Sequence, residues 1–298
     1  MPTTNAERRE AAKRKLEEQL ARREARARRN RLLAVIGSVV AVIALVGAAV
    51  YVFVLDRDDA ESDTTAQSET PDTQLAGPTP LPAGGPGQLP AFNPPPDLGA
   101  DCQYPAAATP ASKEVNPPRT GKVPTDPEWV SVSMSTNQGN LGLWLDNGKA
   151  PCTVNSFVSL AQQGYFDDTT CHRLTATPAL SVLQCGDPTG TGAGGPGYQF
   201  GNEYPTNQYP QGDPALQEPV TYPRGALAMA HSAGQHNNGS QFFLVYQDSQ
   251  LPPDYTVFGV IDETGLETLD KIAAAGIAGN AMDGAPAEEV RVTSILMD

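Results

Sequence analysis

The run Gly239-Ser240-Gln241-Phe242-Phe243 sets a side-chain amide beside two aromatic rings and leads into apolar Leu244-Val245. Read as a strand, its side chains alternate, so Gln241 and Phe243 share one face while Phe242 and Leu244 share the other. One face then offers an amide next to a ring, which suits gripping a peptide unit and an apolar ring together. An ordinary barrel strand with a partly exposed Gln is the competing reading. Two further polar residues stand out on strand-like segments: Arg173, directly after His172, and Gln184 at the end of the next strand. A lone strand Arg is ordinarily solvated or salt-bridged, and His172 reads as a hydrogen-bonded core histidine. The chain carries no nucleophile elbow, P-loop, dinucleotide fingerprint or Ser-His-Asp order. It also has no C-x-x-C pair, and its three histidines are not spaced as ligands, so no metal or other cofactor is expected.

These residues need a scaffold, and the globular texture begins near Glu128. Strands are predicted over 129–136, 140–146, 170–175, 180–186, 225–230, 240–246, 256–262 and 290–297. A first helix is predicted over 150–163. It has Pro151 in its first turn, an apolar face of Val154, Phe157, Val158 and Ala161, and Gly164 beyond its end. A second spans 264–276, with Thr264 and Glu267 as a capping box and Leu266, Leu269, Ile272 and Ala273 as its apolar face. Residues 187–224 form a long Gly/Pro/Asn/Tyr-rich excursion. Many short strands, two helices and no βαβ rhythm predict a mainly β, antiparallel barrel or sandwich with helical lids.

Charge is unevenly spread. The net charge is −14, yet residues 1–31 hold eleven Lys or Arg against five Glu. The remaining body is strongly acidic and unsuited to nucleic acid, which needs a basic face. Residues 32–55 are an uncharged apolar run, about 36 Å long as a helix and sufficient to cross a bilayer. Arginines precede it and Asp56, Asp58, Asp59 and Glu61 follow it, so the positive-inside rule places 1–31 in the cytoplasm and the rest outside. A single-pass, uncleaved anchor in the cell membrane is therefore expected in preference to a cleaved signal peptide. Residues 56–125 contain fourteen of the twenty-eight prolines and few large apolar residues. They read as an extended or disordered extracytoplasmic linker, followed by a domain over 126–298. All four cysteines lie beyond the apolar run, which permits two disulfides in an external domain. Of three connectivities, the favoured one joins Cys171 to Cys185 on two arms of a hairpin. Cys102 and Cys152 then staple the end of the linker to the domain.

Several motifs, in order, resemble cyclophilins. Cys171-His172-Arg173 with Val182-Leu183-Gln184-Cys185-Gly186-Asp187 is similar to F-H-R…F-M-x-Q-G-G-D. Residues 188–198 look like the family's Gly-rich loop. Gly225-Ala226-Leu227-Ala228-Met229-Ala230 and Asn238-Gly239-Ser240-Gln241-Phe242-Phe243 resemble G-x-L-S-M-A…N-G-S-Q-F-F, and Val257-Phe258-Gly259 continues the pattern. The resemblance covers roughly 128–298 and implies an eight-stranded antiparallel barrel closed by two helices, with a groove on its outer face. It implies a peptidyl-prolyl isomerase, here in a membrane-anchored bacterial form, acting on proline-containing peptides and unfolded exported proteins. Arg173 then matches the catalytic residue, and Gln184 and Gln241 match the holders of substrate backbone. Phe243 matches the floor of the proline pocket, with Val182, Leu251 and Tyr255 in its wall. Ala230 and His231 match the residues that meet the peptide before proline, and Gly192 belongs to the Gly-rich loop. This reading requires the Arg173 guanidinium to face Gln241 and Phe243, not to turn inward or pair with an acid away from them.

The chain departs from the family pattern at several points. Three additional residues separate Arg173 from Gln184, and Ser181 and Val182 replace the expected Phe and Met. His231 stands where the family has Asn, Tyr255 where it has His, and Gln250 where cyclosporin-sensitive members carry Trp. Weak cyclosporin binding is expected. The alternative function is a catalytically weak proline-peptide-binding module tethered to the membrane.

Overall fold

In the computed structural model of the chain, residues 78–232 and 237–298 are described. The predicted basic segment, the run 32–55 and the first part of the linker lie outside them. Among the described residues no helix is long and apolar enough to cross a membrane.

The first hairpin pairs β1 (Trp129–Thr136) with β2 (Gly139–Asp146). Its register places Val132 opposite Leu143 and Met134 opposite Leu141, all buried, so alternation alone gives it an inner face. α1 (Pro151–Gln162) starts on proline and buries Val154, Phe157, Leu160 and Ala161. The remaining segments are β3 (Thr169–Thr170), β4 (Arg173–Thr175), β5 (Val182–Cys185), β6 (Val220–Tyr222), β7 (Ala226–Met229), β8 (Phe242–Val245), β9 (Ser249–Leu251), β10 (Val257–Ile261), α2 (Glu263–Ala275), β11 (Asp283–Gly284) and β12 (Arg291–Met297). One antiparallel sheet runs β11-β4-β5-β8-β7-β10-β2-β1-β12-β3, and β6 pairs with β9 apart from it. Among the described residues the mainly β class with two α-helices is as expected. The sheet has ten segments where eight were expected. The predicted strand 170–175 is broken at Cys171-His172 into β3 and β4, which stand near opposite ends of the sheet order, so the sheet curls round on itself. The short β6, β9 and β11 carry too little alternation to be visible in the sequence.

Phe157 of α1 packs against Phe166, Phe242 and Phe258, with ring centroids 5.0, 5.3 and 5.2 Å away, and this aromatic group fills the inner core. A second cluster lies on the other face of the sheet and contains Val182, Ala228, Phe243, Val245 and Val257. Two expectations are corrected. The cap of α2 is Asp262, whose Oδ1 accepts the Gly265 N–H, so the Thr264–Glu267 box does not start the helix. Residues 78–125 are extended, but they are not a free spacer. Leu89, Cys102, Tyr104 and Val123 are fully or nearly buried. Each enters a slot that the barrel already provides, so the segment needs no core of its own. Both disulfides form as favoured, Cys102–Cys152 and Cys171–Cys185.

Candidate functional site

The strand registers place Arg173 opposite Gln184, Gln184 opposite Phe243, and Phe243 opposite Ala228. Residues facing each other across adjacent strands project from the same side of a sheet. Arg173, Gln184 and Phe243 therefore form one row on the outer face, while Phe242 points into the core. The Cys171–Cys185 bond joins the residue two before Arg173 to the residue after Gln184, which pins β4 against β5 beside the row. Gly186 must be glycine: its φ is +91°, and a Cβ there would lie 2.2 Å from the Ser240 carbonyl oxygen.

This face opens into a groove of about 580 Å³. It is lined by every residue expected in the site: Arg173, Val182, Gln184, Gly192, Ala230, His231, Gln241, Phe243, Leu251 and Tyr255. Phe243 meets Tyr255 edge-on at 5.9 Å, and Tyr255 stacks on His231 at 4.6 Å, so three rings shape one wall and the floor. Burial pushes the Tyr255 phenol above its ordinary pKa, so it stays neutral and donates or accepts as a hydroxyl.

A polar chain crosses the groove. Arg173 Nη1 donates to Gln184 Oε1 at 3.3 Å, and Gln184 Nε2 donates to Gln241 Oε1 at 2.9 Å. Gln241 Nε2 donates in turn to the carbonyls of Gly192 and Gly194 at 2.9 and 3.0 Å. Asp187 anchors that Gly-rich loop by accepting the backbone N–H groups of Thr189, Thr191, Gly192 and Gly194. Burial works against its charge, but these donors hold its carboxyl below the usual range.

Two findings bear on the competing readings of Arg173 and His172. Arg173 is paired with an acid: Nε and Nη2 each donate to Asp283 at 2.8 Å. The cause is β11, whose Asp283 lies opposite Thr175 and so beside Arg173. The mutual hydrogen bonds hold the Asp283 carboxyl below its usual range and raise Arg173. The pairing does not remove the guanidinium from the groove, because Nη1 remains turned to Gln184. His172 is not a hydrogen-bonded core histidine. Both ring nitrogens are buried without a partner among the described residues, and burial lowers its pKa. Asp283 gave no sequence signal, since a turn-like Asp-Gly reveals nothing of a partner 110 positions earlier. Ala107, Thr109 and Pro110 also line the groove, from a stretch whose composition reads only as linker.

Among the described residues no group of three or more His, Cys, Asp or Glu could hold a metal ion. The groove offers a fixed cation, two amides and a ring pocket, which suit binding and polarising an amide.

Residues 131–296 match the profile of the cyclophilin-type peptidyl-prolyl cis-trans isomerases. A "Probable peptidyl-prolyl cis-trans isomerase B" of Mycobacterium tuberculosis is 67% identical over 210 residues, covering 70% of this chain and 68% of that protein. One of Mycobacterium leprae with the same description is 55% identical over 298 residues, covering 100% of both. A "Peptidyl-prolyl cis-trans isomerase" of Helicobacter pylori is 40% identical over 148 residues, covering 49% of this chain and 82% of that protein. With the groove and its row of residues in place, the chain belongs to the cyclophilin-type peptidyl-prolyl cis-trans isomerase family.

Proposed function

We propose that X-Pro bonds isomerise in this groove, with the proline ring seated on Phe243 and Arg173 stabilising the twisted amide. Rotation about the bond faces a barrier of ~20 kcal/mol, because amide resonance is lost at the perpendicular geometry. The prolyl nitrogen then becomes pyramidal and basic, and no nucleophile is needed. A guanidinium hydrogen-bonding that nitrogen or the adjoining carbonyl favours the twisted state over the planar one. Arginine suits the task because it stays charged and presents a rigid fork of donors. Gln184 and Gln241 hold the peptide backbone, and Ala230 and His231 receive the residues before proline. Val182, Leu251 and Tyr255 close around the ring, and Gly192 borders the far side.

The observation that carries this reading is the shared row of Arg173, Gln184 and Phe243. Its test is turnover of an Ala-Pro peptide, followed by protease coupling or NMR exchange, in wild type and Arg173→Ala. Removing one preorganised donor costs about 10²–10³ in rate, and a variant as fast as wild type would end the assignment. A second reading, a catalytically weak binding module, is favoured by one observation: two of the Arg173 nitrogens are already held by Asp283. In that case wild type itself shows little rate above background in the same assay.

The clients, in this reading, are exported or cell-envelope proteins, reached by a domain tethered outside the membrane through residues 32–55, with 1–31 in the cytoplasm. Pairing of all four cysteines supports an oxidising compartment. Protease treatment of intact cells tests it, since an internal domain would survive. Cyclosporin binding is weak in this reading because Gln250 replaces an aromatic anchor.

A further inference from the structure

The groove has a wall that the family match does not cover. Residues 105–112 precede the matched region 131–296 and run along the Gly-rich loop. The Ala107 N–H donates to the Gly197 carbonyl at 2.9 Å, and the Ser112 N–H to that of Gly195 at 2.9 Å. The loop reciprocates: Gly195 N–H donates to Ser112 Oγ at 3.0 Å, and Gln199 N–H to the Pro105 carbonyl at 2.9 Å. Ala106 and Tyr198 form an antiparallel bridge between them.

At Gly194 and Gly197 the approach is too close for a side chain. A Cβ at Gly197, where φ is +78°, would lie 2.7 Å from the Ala111 nitrogen. One at Gly194 would lie 2.6 Å from Ser112 Oγ and 2.0 Å from Asp187 Oδ1. Gly194 and Gly197 thus admit the preceding segment as well as turning the chain. That segment is tied down on both sides. Cys102 is bonded to Cys152, and the Tyr104 hydroxyl donates to the Cys152 carbonyl at 2.7 Å. Lys113 donates to the carbonyls of Gly164, Tyr165 and Asp167 just past α1, where a cation complements the helix end.

Ala107, Thr109 and Pro110 line the same groove as Arg173 and Phe243, and Thr109 and Pro110 are exposed. The polar chain from Arg173 passes through Gln184 and Gln241 to Gly192 and Gly194, so the segment lies beyond Gln241 from the cation. Ala230, whose N–H donates to the Gln241 carbonyl at 2.9 Å, borders this end.

We propose that residues 107–110 form a specificity wall for the substrate residues preceding the X-Pro unit, and that this wall selects uncharged, small or apolar side chains there. The proposal rests on the groove being the active site. Ala107, Thr109 and Pro110 place no charge at that end, and their contact area would be gained only by peptides reaching two or three residues upstream of proline. Such selectivity belongs to this chain's extension and not to the barrel.

The test uses the full-length chain and three peptides that share an Ala-Pro core and carry Leu, Asp or Lys two residues before the Ala. Wild type should turn over the Leu peptide with the highest kcat/KM. Thr109→Arg should raise the ratio of kcat/KM for the Asp peptide over the Lys peptide by about three- to fivefold, as expected for one solvent-screened charge pair. Thr109→Glu should lower it by a similar factor. Thr293→Arg, at an exposed position of β12, controls for net charge and should leave the ratio at its wild-type value. The proposal is overturned if the ratio is the same in wild type and both Thr109 variants, or if Thr293→Arg shifts it as much. Arg173→Ala assayed alongside separates the two readings. Full activity in that variant removes the groove assignment itself, whereas a slow Arg173→Ala with inert Thr109 variants removes only the wall.

Discussion

Asp283 takes the Nε and Nη2 donors of Arg173 through two 2.8 Å hydrogen bonds and leaves Nη1 turned to Gln184 at 3.3 Å. The two side chains are 38% and 50% exposed, so the pair contributes little to stability, about 0–1 kcal/mol. Its consequence is positional. A bidentate carboxylate fixes the plane of the guanidinium and hence the direction of the remaining donor. Asp283→Ala should leave the melting temperature nearly unchanged and lower kcat/KM for an Ala-Pro peptide by up to about tenfold, or ~1.4 kcal/mol. Asp283→Asn, which keeps one acceptor, should fall between. An increase in rate on removing the carboxylate would show that it restrains Arg173 instead of aiming it.

The disulfides carry a second prediction. Cys102 and Cys152 are 50 positions apart, and closing a loop of that length stabilises the folded state by about 4 kcal/mol on the chain-entropy account. The pair Cys171–Cys185, 14 apart, contributes about 3 kcal/mol. Replacing Cys102 and Cys152 together by Ser should lower the denaturation free energy by about 2–4 kcal/mol, read as a fall of the urea midpoint with a steeper slope, because the released denatured chain exposes more surface. An unmoved midpoint would mean that the buried Tyr104 and Val123 hold the extension without the bond.

The alternation of Gln241, Phe242 and Phe243 was legible because a strand has only two faces, and the aromatic core confirms which ring points inward. The first hairpin was legible for the same reason, with Val132 and Met134 alternating against Leu141 and Leu143. What was not legible depends on partners distant in sequence. Asp262 caps α2 from one residue before it, a position where Thr264 and Glu267 offered a more familiar pattern. Asp283 meets Arg173 only because β11 adds to the sheet edge. The stretch 78–125 looks unable to fold because composition counts what a segment can bury by itself. Leu89, Tyr104 and Val123 bury themselves in a core made by others. The Gly-rich loop resembles a family feature in the sequence, yet the close approach of Ala111 to Gly197 is visible only in three dimensions.

Gln250 allows a prediction about inhibitors. It sits on β9, exposed, with Nε2 donating to Thr221 Oγ1 at 2.8 Å across the β6–β9 pair. An amide in water offers a large apolar macrocycle little contact, whereas an indole covers 150–250 Å² of it at roughly the usual value per area. Cyclosporin should inhibit the wild type weakly, and Gln250→Trp should lower its inhibition constant about tenfold, equivalent to ~1.4 kcal/mol. Equal inhibition of both proteins would place the binding determinant away from residue 250.

Glu203 gives a pH dependence whose sign can be worked out. It reaches from the long excursion to the start of α1, where its carboxylate accepts the N–H of Cys152 at 3.0 Å and both the N–H and the hydroxyl of Thr153 at 2.7 Å. Burial pushes its pKa from 4.5 up to about 7, against the pull of those three donors. A carboxyl with a raised folded-state pKa takes up a proton on folding. Its contribution is thus fully present below the unfolded value near 4.5 and is lost as pH rises through about 7. Over that window this one group should lower the unfolding free energy by up to about 3 kcal/mol. Thermal unfolding of wild type and Glu203→Gln at half-unit steps from pH 4.5 to 8 measures it. The variant, which has no proton to release, should lack this downward slope, although its overall stability is lower because an amide nitrogen faces donors at the helix start. If both proteins lose stability in parallel over this range, the helix N–H groups dominate burial, and Glu203 is already ionised in the folded protein at pH 5.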